Sequence, residues 1–255
     1  MVVTCLFDLT TQLGIPFSWT GHLDDPLYPL IDAGYDHHVA RSLEELRPFL
    51  EDPDAKGPLY VYHVYEGVHL KSEQAKFRRL GFGVDVTMLW PGCLTREWSK
   101  TAGHIHTGIH RSDLFGEMVE VVHGEALFLL QAASHDRISE ILLISATKGD
   151  WVVIPPGYSH VTMNTGPDVL ALTFVHAQDI YLDYEDLARH RGAGLWIGPE
   201  GYRLNPSYAE IGVIRELRAR DLIKNPVGLP LYQLIGQQPD KFRFLIDPQV
   251  PSPWV

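Results

Sequence analysis

The sequence predicts an all-β fold. Short runs of strand-forming residues recur from Leu59 to Phe174, turn residues punctuate them, and no helical period separates one run from the next. The runs are Leu59–Tyr65, Gly83–Trp90, Glu117–Val122, Ala126–Gln131, Ile138–Ile144, Trp151–Ile154 and Val169–Phe174. Strands at this spacing make a sandwich or a barrel, whereas a parallel βαβ sheet would need a crossover helix between neighbours.

Residues 1–57 form an extension rich in turn formers. Its one helix opens at Ser42-Leu43-Glu44-Glu45, a Ser-x-x-Glu capping box ahead of Leu46, Phe49 and Leu50. Residues 58–200 carry the barrel, and 201–255 form a second extension. That tail reads as a helix from Ile211 to Leu222 followed by Pro-punctuated segments, which pack on the barrel or reach across a partner. A few short helices are therefore expected in the two extensions.

Composition narrows the function classes. With 45% hydrophobic and 21% charged residues, the chain is suited to an ordinary folded core. Its net charge of -11 excludes a general nucleic-acid binder, which needs a surplus of Lys and Arg. A small anionic substrate remains compatible if a local positive site offsets the mean field. Cys5 and Cys93 are too few for a disulfide framework or a Cys-rich zinc site. The apolar stretches Trp151–Pro156 and Val169–His176 fall far short of the ~20 residues that span a bilayer, so no membrane partner is expected. The N-terminus lacks a basic segment leading into an apolar one, and a cytoplasmic setting is expected.

The chemistry gathers around histidine. With 13 His in 255 residues, a His-x-His pair arises about once by chance, so the context of the pair has to carry the reading. His104 and His106 alternate across Ile105 and would share one face of a strand, where two imidazoles can hold one ion. Glu117 opens the next apolar strand, and a second run reads Gly149-Asp-Trp-Val-Val-Ile-Pro155-Pro-Gly157-Tyr-Ser-His160-Val-Thr-Met-Asn164. The bland alternative is a set of hydrogen-bonded core histidines beside a surface Glu.

These residues resemble the two cupin motifs, G-x5-H-x-H-x(3,4)-E-x6-G and G-x5-P-x-G-x2-H-x3-N. The second is matched through Gly149, Pro155, Gly157, His160 and Asn164. The first is matched at His104, His106, Glu117 and Gly124, with ten residues between His106 and Glu117 where the motif has three or four. The resemblance implies a double-stranded β-helix, or jelly-roll barrel, in which His104, His106, Glu117 and His160 hold one divalent transition metal. Such a donor set accommodates Fe, Mn, Zn, Ni or Co without choosing among them.

A longer stretch, from about Tyr62 to Trp196, is similar to the cupin glucose-6-phosphate isomerases of archaeal type. It carries Tyr62-His-Val-Tyr65, Val86-Thr87-Met-Leu-Trp-Pro-Gly92, Thr101-Ala-Gly103-His104-Ile-His106, Gly124 through Gln131, Val153-Ile-Pro-Pro156, His160-x3-Asn164 and Asp183-Tyr184. The resemblance implies a sugar-phosphate substrate held by Tyr62, Thr87, Thr101 and the Gly103 backbone N–H, with Tyr184 closing one side and a homodimer as the assembly. Ordinary strand packing for Tyr62 and Thr87, and a core lid for Tyr184, are the alternatives. Val119, Gly157 and Leu182 stand where the family has groups able to touch the sugar. The lengthened spacer brings His110, Arg111 and Asp113 toward the pocket mouth.

Aldose–ketose isomerisation is the reaction implied, with glucose 6-phosphate and fructose 6-phosphate as the pair. A divalent ion would polarise the sugar oxygens, and Glu117 is the candidate catalytic base or, in a hydride-shift version, a ligand only. An Fe(II) cupin dioxygenase, a cupin acting on another sugar or sugar phosphate, and a non-catalytic sugar-binding cupin are the alternatives.

Overall fold

Alternation along the strands sets the architecture. Between Phe82 and Leu89, Val84, Val86 and Met88 join one apolar cluster, while Leu89 joins a second on the opposite face. Burial on both faces explains why these strands read as nearly unbroken apolar runs. The computed structural model describes residues 5–21, 33–108, 110, 112–225 and 228–253.

In chain order the strands are β1 (Cys5–Asp8), β2 (Ser18–Gly21), β3 (His37–Ser42), β4 (Tyr60–Glu66), β5 (Phe82–Leu89), β6 (Cys93–Leu94), β7 (Glu97–Trp98), β8 (Ile105–Thr107) and β9 (Glu117–His123). They continue with β10 (Glu125–Ser134), β11 (Arg137–Thr147), β12 (Trp151–Ile154), β13 (Ser159–Asn164), β14 (Leu170–Ala177), β15 (Tyr181–Asp183), β16 (Leu195–Gly198), β17 (Gly201–Leu204) and β18 (Glu210–Arg218). One sheet runs β12-β9-β14-β5-β4-β3 and the other β13-β10-β11-β18, with four short two-stranded pairs around them. From β9 to β14 the chain passes back and forth between the two sheets, with β10 and β11 paired in one of them, in the manner of a double-stranded β-helix, the all-β cupin barrel that the motifs imply. Every run read as a strand is one.

Three apolar layers result. Between the sheets lie Leu89, Val119, Val121, Phe128, Leu130, Ile144 and Leu172. Outside the six-stranded sheet, Leu231, Tyr232, Leu234, Ile235, Phe242 and Leu245 cover Val84, Val86, Met118 and Val175. These covering residues come from the helix Leu231–Gln237 and the 3-10 turn Pro239–Leu245, and the Leu231 N–H donates to the Glu120 carboxylate at 2.7 Å. The C-terminal extension therefore packs on the barrel of its own chain. Outside the four-stranded sheet, Phe49, Leu187, Leu195 and Ile197 cover Leu129, Ile141 and Leu143.

Both extensions also supply strands, so the sheets extend beyond residues 58 and 200. β3 pairs with β4 at the edge of the larger sheet, and the capping box at its end is present, with Ser42 N–H on Glu45 at 2.9 Å and Glu45 N–H on Ser42 Oγ at 3.3 Å. The helix expected over Ile211–Leu222 is corrected. Residues 210–218 form β18, parallel to β11 with Ile138↔Ile211 through Ser145↔Arg218 in register, and only Ala219–Leu222 is helical. Ile211, Ile214 and Leu217 recur every third residue and so imitate a helix face. The open edge of β11 and the β-branched side chains settle the competition in favour of pairing.

Gly212 separates the two conformations experimentally. A Cβ there would stand 2.3 Å from the carbonyl oxygen of Ser139 on β11. In a helix, Gly→Ala would stabilise by about 0.8–1 kcal/mol. In this strand we expect Gly212→Ala to cost about 1–3 kcal/mol, as overpacking does. Denaturant titration reads the sign directly, and a gain in stability would contradict the strand.

Candidate active site

The site begins with one antiparallel bridge. His104 N–H donates to the His160 carbonyl at 3.2 Å, and His160 N–H donates to the His104 carbonyl at 2.9 Å. Residues that exchange both hydrogen bonds face each other, so their side chains leave the backbone on the same side. His106, two residues along, joins them. The His104 and His106 Nε2 atoms lie 2.8 Å apart, and one ligand atom from each of His104, His106 and His160 falls within 4.8 Å of the others.

Gly103 makes the approach to this bridge. Its φ of +79° is one that L side chains rarely adopt, and a Cβ would meet Val161 Cγ2 at 2.5 Å and the His160 carbonyl oxygen at 2.9 Å. On the far strand, Asn164 holds the end of β13. Its amide donates to the carbonyls of Leu89 at 3.0 Å and Asp168 at 2.8 Å, and its oxygen accepts the Gly166 N–H at 3.0 Å. The motif residues that are not ligands are thus the ones that fix the ligands' backbone.

Glu117 arrives from the opposing sheet, where it pairs with Ile154 of β12 and His176 of β14. Its carboxylate lies 3.9 Å from His106 Nε2 and 3.5 Å from His160 Nε2. The long spacer folds back on itself through the Thr107↔Leu114 bridge and a Gly108 N–H···Asp113 carbonyl bond of 2.8 Å, so its extra length leaves the position of Glu117 intact. His110 and Asp113 are exposed and do not line the cavity, which corrects their expected place at its mouth. Arg111 lies outside the described residues.

Burial fixes the charge states. It holds the His160 imidazole down at about 4 and keeps His104 and His106 well below the ordinary histidine range, with mutual repulsion adding to the effect. It pushes the Glu117 carboxyl up to about 8. Both nitrogens of His160, Nδ1 of His106 and Oε2 of Glu117 are buried with no hydrogen-bond partner. Neutral imidazoles converging beside a buried carboxylate are a donor set that suits a divalent cation. The residues therefore fit the metal that the motifs imply.

The site opens into a cavity of about 660 Å³. Tyr62, Thr87, Thr101 and Tyr184 all line it, as do the three histidines and Glu117. Tyr62 Oη accepts the Ala102 N–H at 3.4 Å and Thr101 Oγ1 accepts the Thr162 N–H at 3.0 Å, which leaves each hydroxyl proton free to turn toward the cavity. Gly103 does not line it. Of the three family departures, Leu182 lines the cavity, whereas Val119 and Gly157 do not.

Sequence reading missed a dyad. His176 Nε2 meets Asp85 Oδ2 at 3.1 Å while Nδ1 meets the Ala177 carbonyl at 2.7 Å, and both side chains line the cavity. Burial alone would lower the His176 pKa, but the Asp85 and Glu117 charges outweigh it and raise it to about 9. A signal for Asp85 was available. It is a charged residue inside the apolar run of β5, two positions from Thr87 and hence on the same face.

Comparison with known proteins bears on this geometry. The family model described as glucose-6-phosphate isomerase (GPI) matches residues 41–209. A glucose-6-phosphate isomerase of Thermococcus litoralis is 27% identical over 154 residues, covering 58% of this chain and 74% of that protein. One of Pyrococcus horikoshii is 29% identical over 153 residues, covering 59% and 75%. A solved structure of oxalate oxidase aligns with 18% identity and a TM-score of 0.36, over 48% of this chain and 54% of that one. A family model that spans two sheets, the bridged histidines and the hydroxyl-lined cavity places the chain in the glucose-6-phosphate isomerase family, in its cupin branch, as an isomerase.

Proposed function

We propose that the chain is a metal-dependent sugar-phosphate isomerase that interconverts glucose 6-phosphate and fructose 6-phosphate. The observation that carries this reading is the convergence of His104, His106 and His160 on one point beside Glu117, within a cavity that also presents the Tyr62, Thr87, Thr101 and Tyr184 hydroxyls. A homodimer and a cytoplasmic setting belong to the same reading.

A divalent ion held by the three imidazoles and Glu117 would polarise the C1 and C2 oxygens of the sugar. The remaining work falls to the chain. Glu117 stands on the sheet facing the histidines, where one carboxylate oxygen can take a proton from C2 and return it to C1. Near neutral pH burial alone would keep that carboxyl protonated, since its pKa is pushed up to about 8. Positive charge beside it favours the carboxylate, the form a base needs. His176, held by Asp85 and the Ala177 carbonyl, keeps a proton next to Glu117 across the β14–β9 ladder. Phe174 and Leu182 add apolar wall that keeps bulk water from the exchanging proton.

Two measurements test this. The purified protein should carry about one transition-metal ion per chain, and His104→Ala with His106→Ala should abolish that content, because two of three converging nitrogens are gone. Elemental analysis decides the point, and full occupancy in the double variant would remove these residues as ligands.

Glu117→Gln separates base from ligand. The amide keeps an acceptor oxygen but cannot take a proton. At saturating metal we expect kcat to fall by about 10²–10⁴, the usual contribution of a positioned acid–base group, with metal largely retained. A near-normal kcat in the metal-saturated variant would leave Glu117 as a ligand alone.

A further inference from the structure

The cavity is charged unevenly, and this indicates where an anion sits. Its lining includes the acids Asp36, Glu66, Asp85, Glu117 and Asp179 and two arginines, of which Arg78 is mostly exposed and paired with Asp36 at 3.5 Å, while Arg41 stands on β3, two strands from Asp85 and four from Glu117. The sheet register fixes that separation. Arg41 is cross-strand from Tyr62, Tyr62 from Leu89, and Leu89 from Leu170, a row without an acid. Glu117 pairs with His176 and His176 with Gly83, and Glu66 lies four residues along β4 from Tyr62, about 13 Å away at strand rise.

Arg41 is also aimed. Its Nη2 donates to Tyr184 Oη at 3.5 Å, its guanidinium carbon stands 5.6 Å from the centre of the Tyr184 ring, and that ring is 5.5 Å from the His104 ring. Nη1 is held by Glu45 at 3.3 Å, and Glu45 is itself fixed by the capping box at Ser42. One edge of the guanidinium is therefore anchored outward, which orients the planar fork toward Tyr62 and Tyr184 instead of leaving it to swing in solvent. With its side chain 31% exposed, it retains enough hydration to remain charged without being fully screened.

We infer that Arg41 is the charged anchor for the substrate's phosphate, acting beside the Tyr62 and Thr101 hydroxyls while the sugar carbons lie at the His104 end. This rests on the sugar-phosphate reading above. A protein of net charge -11 has to recruit a dianion against its own field, and neutral hydroxyls alone do little for that. A guanidinium matches phosphate through two parallel N–H···O bonds. Arg41 would be a binding residue and not a base, so its removal should weaken capture of the phosphate more than it slows the chemistry.

The test compares wild type, Arg41→Met and Arg41→Lys as full chains with matched metal content. In Arg41→Met the KM for fructose 6-phosphate and the inhibition constant of inorganic phosphate should both rise by about 10- to 100-fold, the range for losing a charge-assisted hydrogen-bonded contact. We expect kcat to stay within about threefold and inhibition by free fructose to be unchanged, the signature of lost uniform binding. Arg41→Lys should recover part of the phosphate affinity, since it restores charge without the fork. An unchanged KM and phosphate inhibition constant in Arg41→Met would overturn the inference and leave the isomerase reading standing. Equal losses toward phosphate and free fructose, or a loss of metal, would also overturn it by marking Arg41 as a scaffold residue. A wild type that neither turns over sugar phosphates nor is thermally stabilised by them would remove the isomerase reading, and the anchor with it.

Discussion

The paired hydrogen bonds between His104 and His160 fix more than two ligands. Because each residue is both donor and acceptor to the other, a shift of register by one residue would turn both imidazoles out of the barrel together. His106 depends on the same register through its two-residue offset, and β15 pairs with β8 so that Leu182 lies opposite His106 and the chain then delivers Tyr184 to the cavity. Gly103 and Asn164, which the motifs include without giving them a ligand to hold, set the backbone on either side of the bridge. Their conservation of form within the motifs has a mechanical reason that needs no contact with substrate.

The larger sheet adds a second constraint, which is electrostatic. Its inner face presents Glu117, His176, Asp85, Thr87, Tyr62 and Arg41 along a diagonal that crosses five strands. Acids and the protonated imidazole gather toward one end and the guanidinium stands at the other. The pleat separates them by whole strand repeats, so a substrate with one charged end and one polar end has a preferred orientation before any specific contact forms.

Some of this was legible in the residues. His104 and His106 could be read because their offset follows from strand geometry, Glu117 and His160 because they complete the cupin motifs, and Tyr62, Thr87, Thr101 and Tyr184 because the longer stretch resembles the cupin isomerases. Asp85–His176 and Arg41 could not be read in the same way, since their roles come from pairing between segments remote in sequence. Asp85 and His176 are 91 residues apart, and Arg41 and Tyr184 are 143. The helix expected over Ile211–Leu222 failed for a related reason. Its three-residue apolar spacing is a local signal, whereas the edge of β11 that captures it is a long-range one, and pairing along eight register positions outweighs a weak helical preference.

Motif spacing and motif geometry also separate at the spacer between His106 and Glu117. Counting residues alone, ten intervening positions would appear to break the first motif. The structure shows why they do not, because what matters is where Phe115 returns. Its N–H donates to the His106 carbonyl at 3.2 Å, so the spacer closes on the very strand it left, and the next two residues lead into β9. A loop that begins and ends on the same backbone hydrogen-bond frame can lengthen at small entropic cost, since loop closure grows only slowly with length. The distance from Glu117 to the imidazoles is set by the β9–β14 and β9–β12 ladders, and those are indifferent to what hangs outside. A sequence pattern written with a fixed gap therefore encodes the commonest loop, while the physical requirement is the register on either side of it.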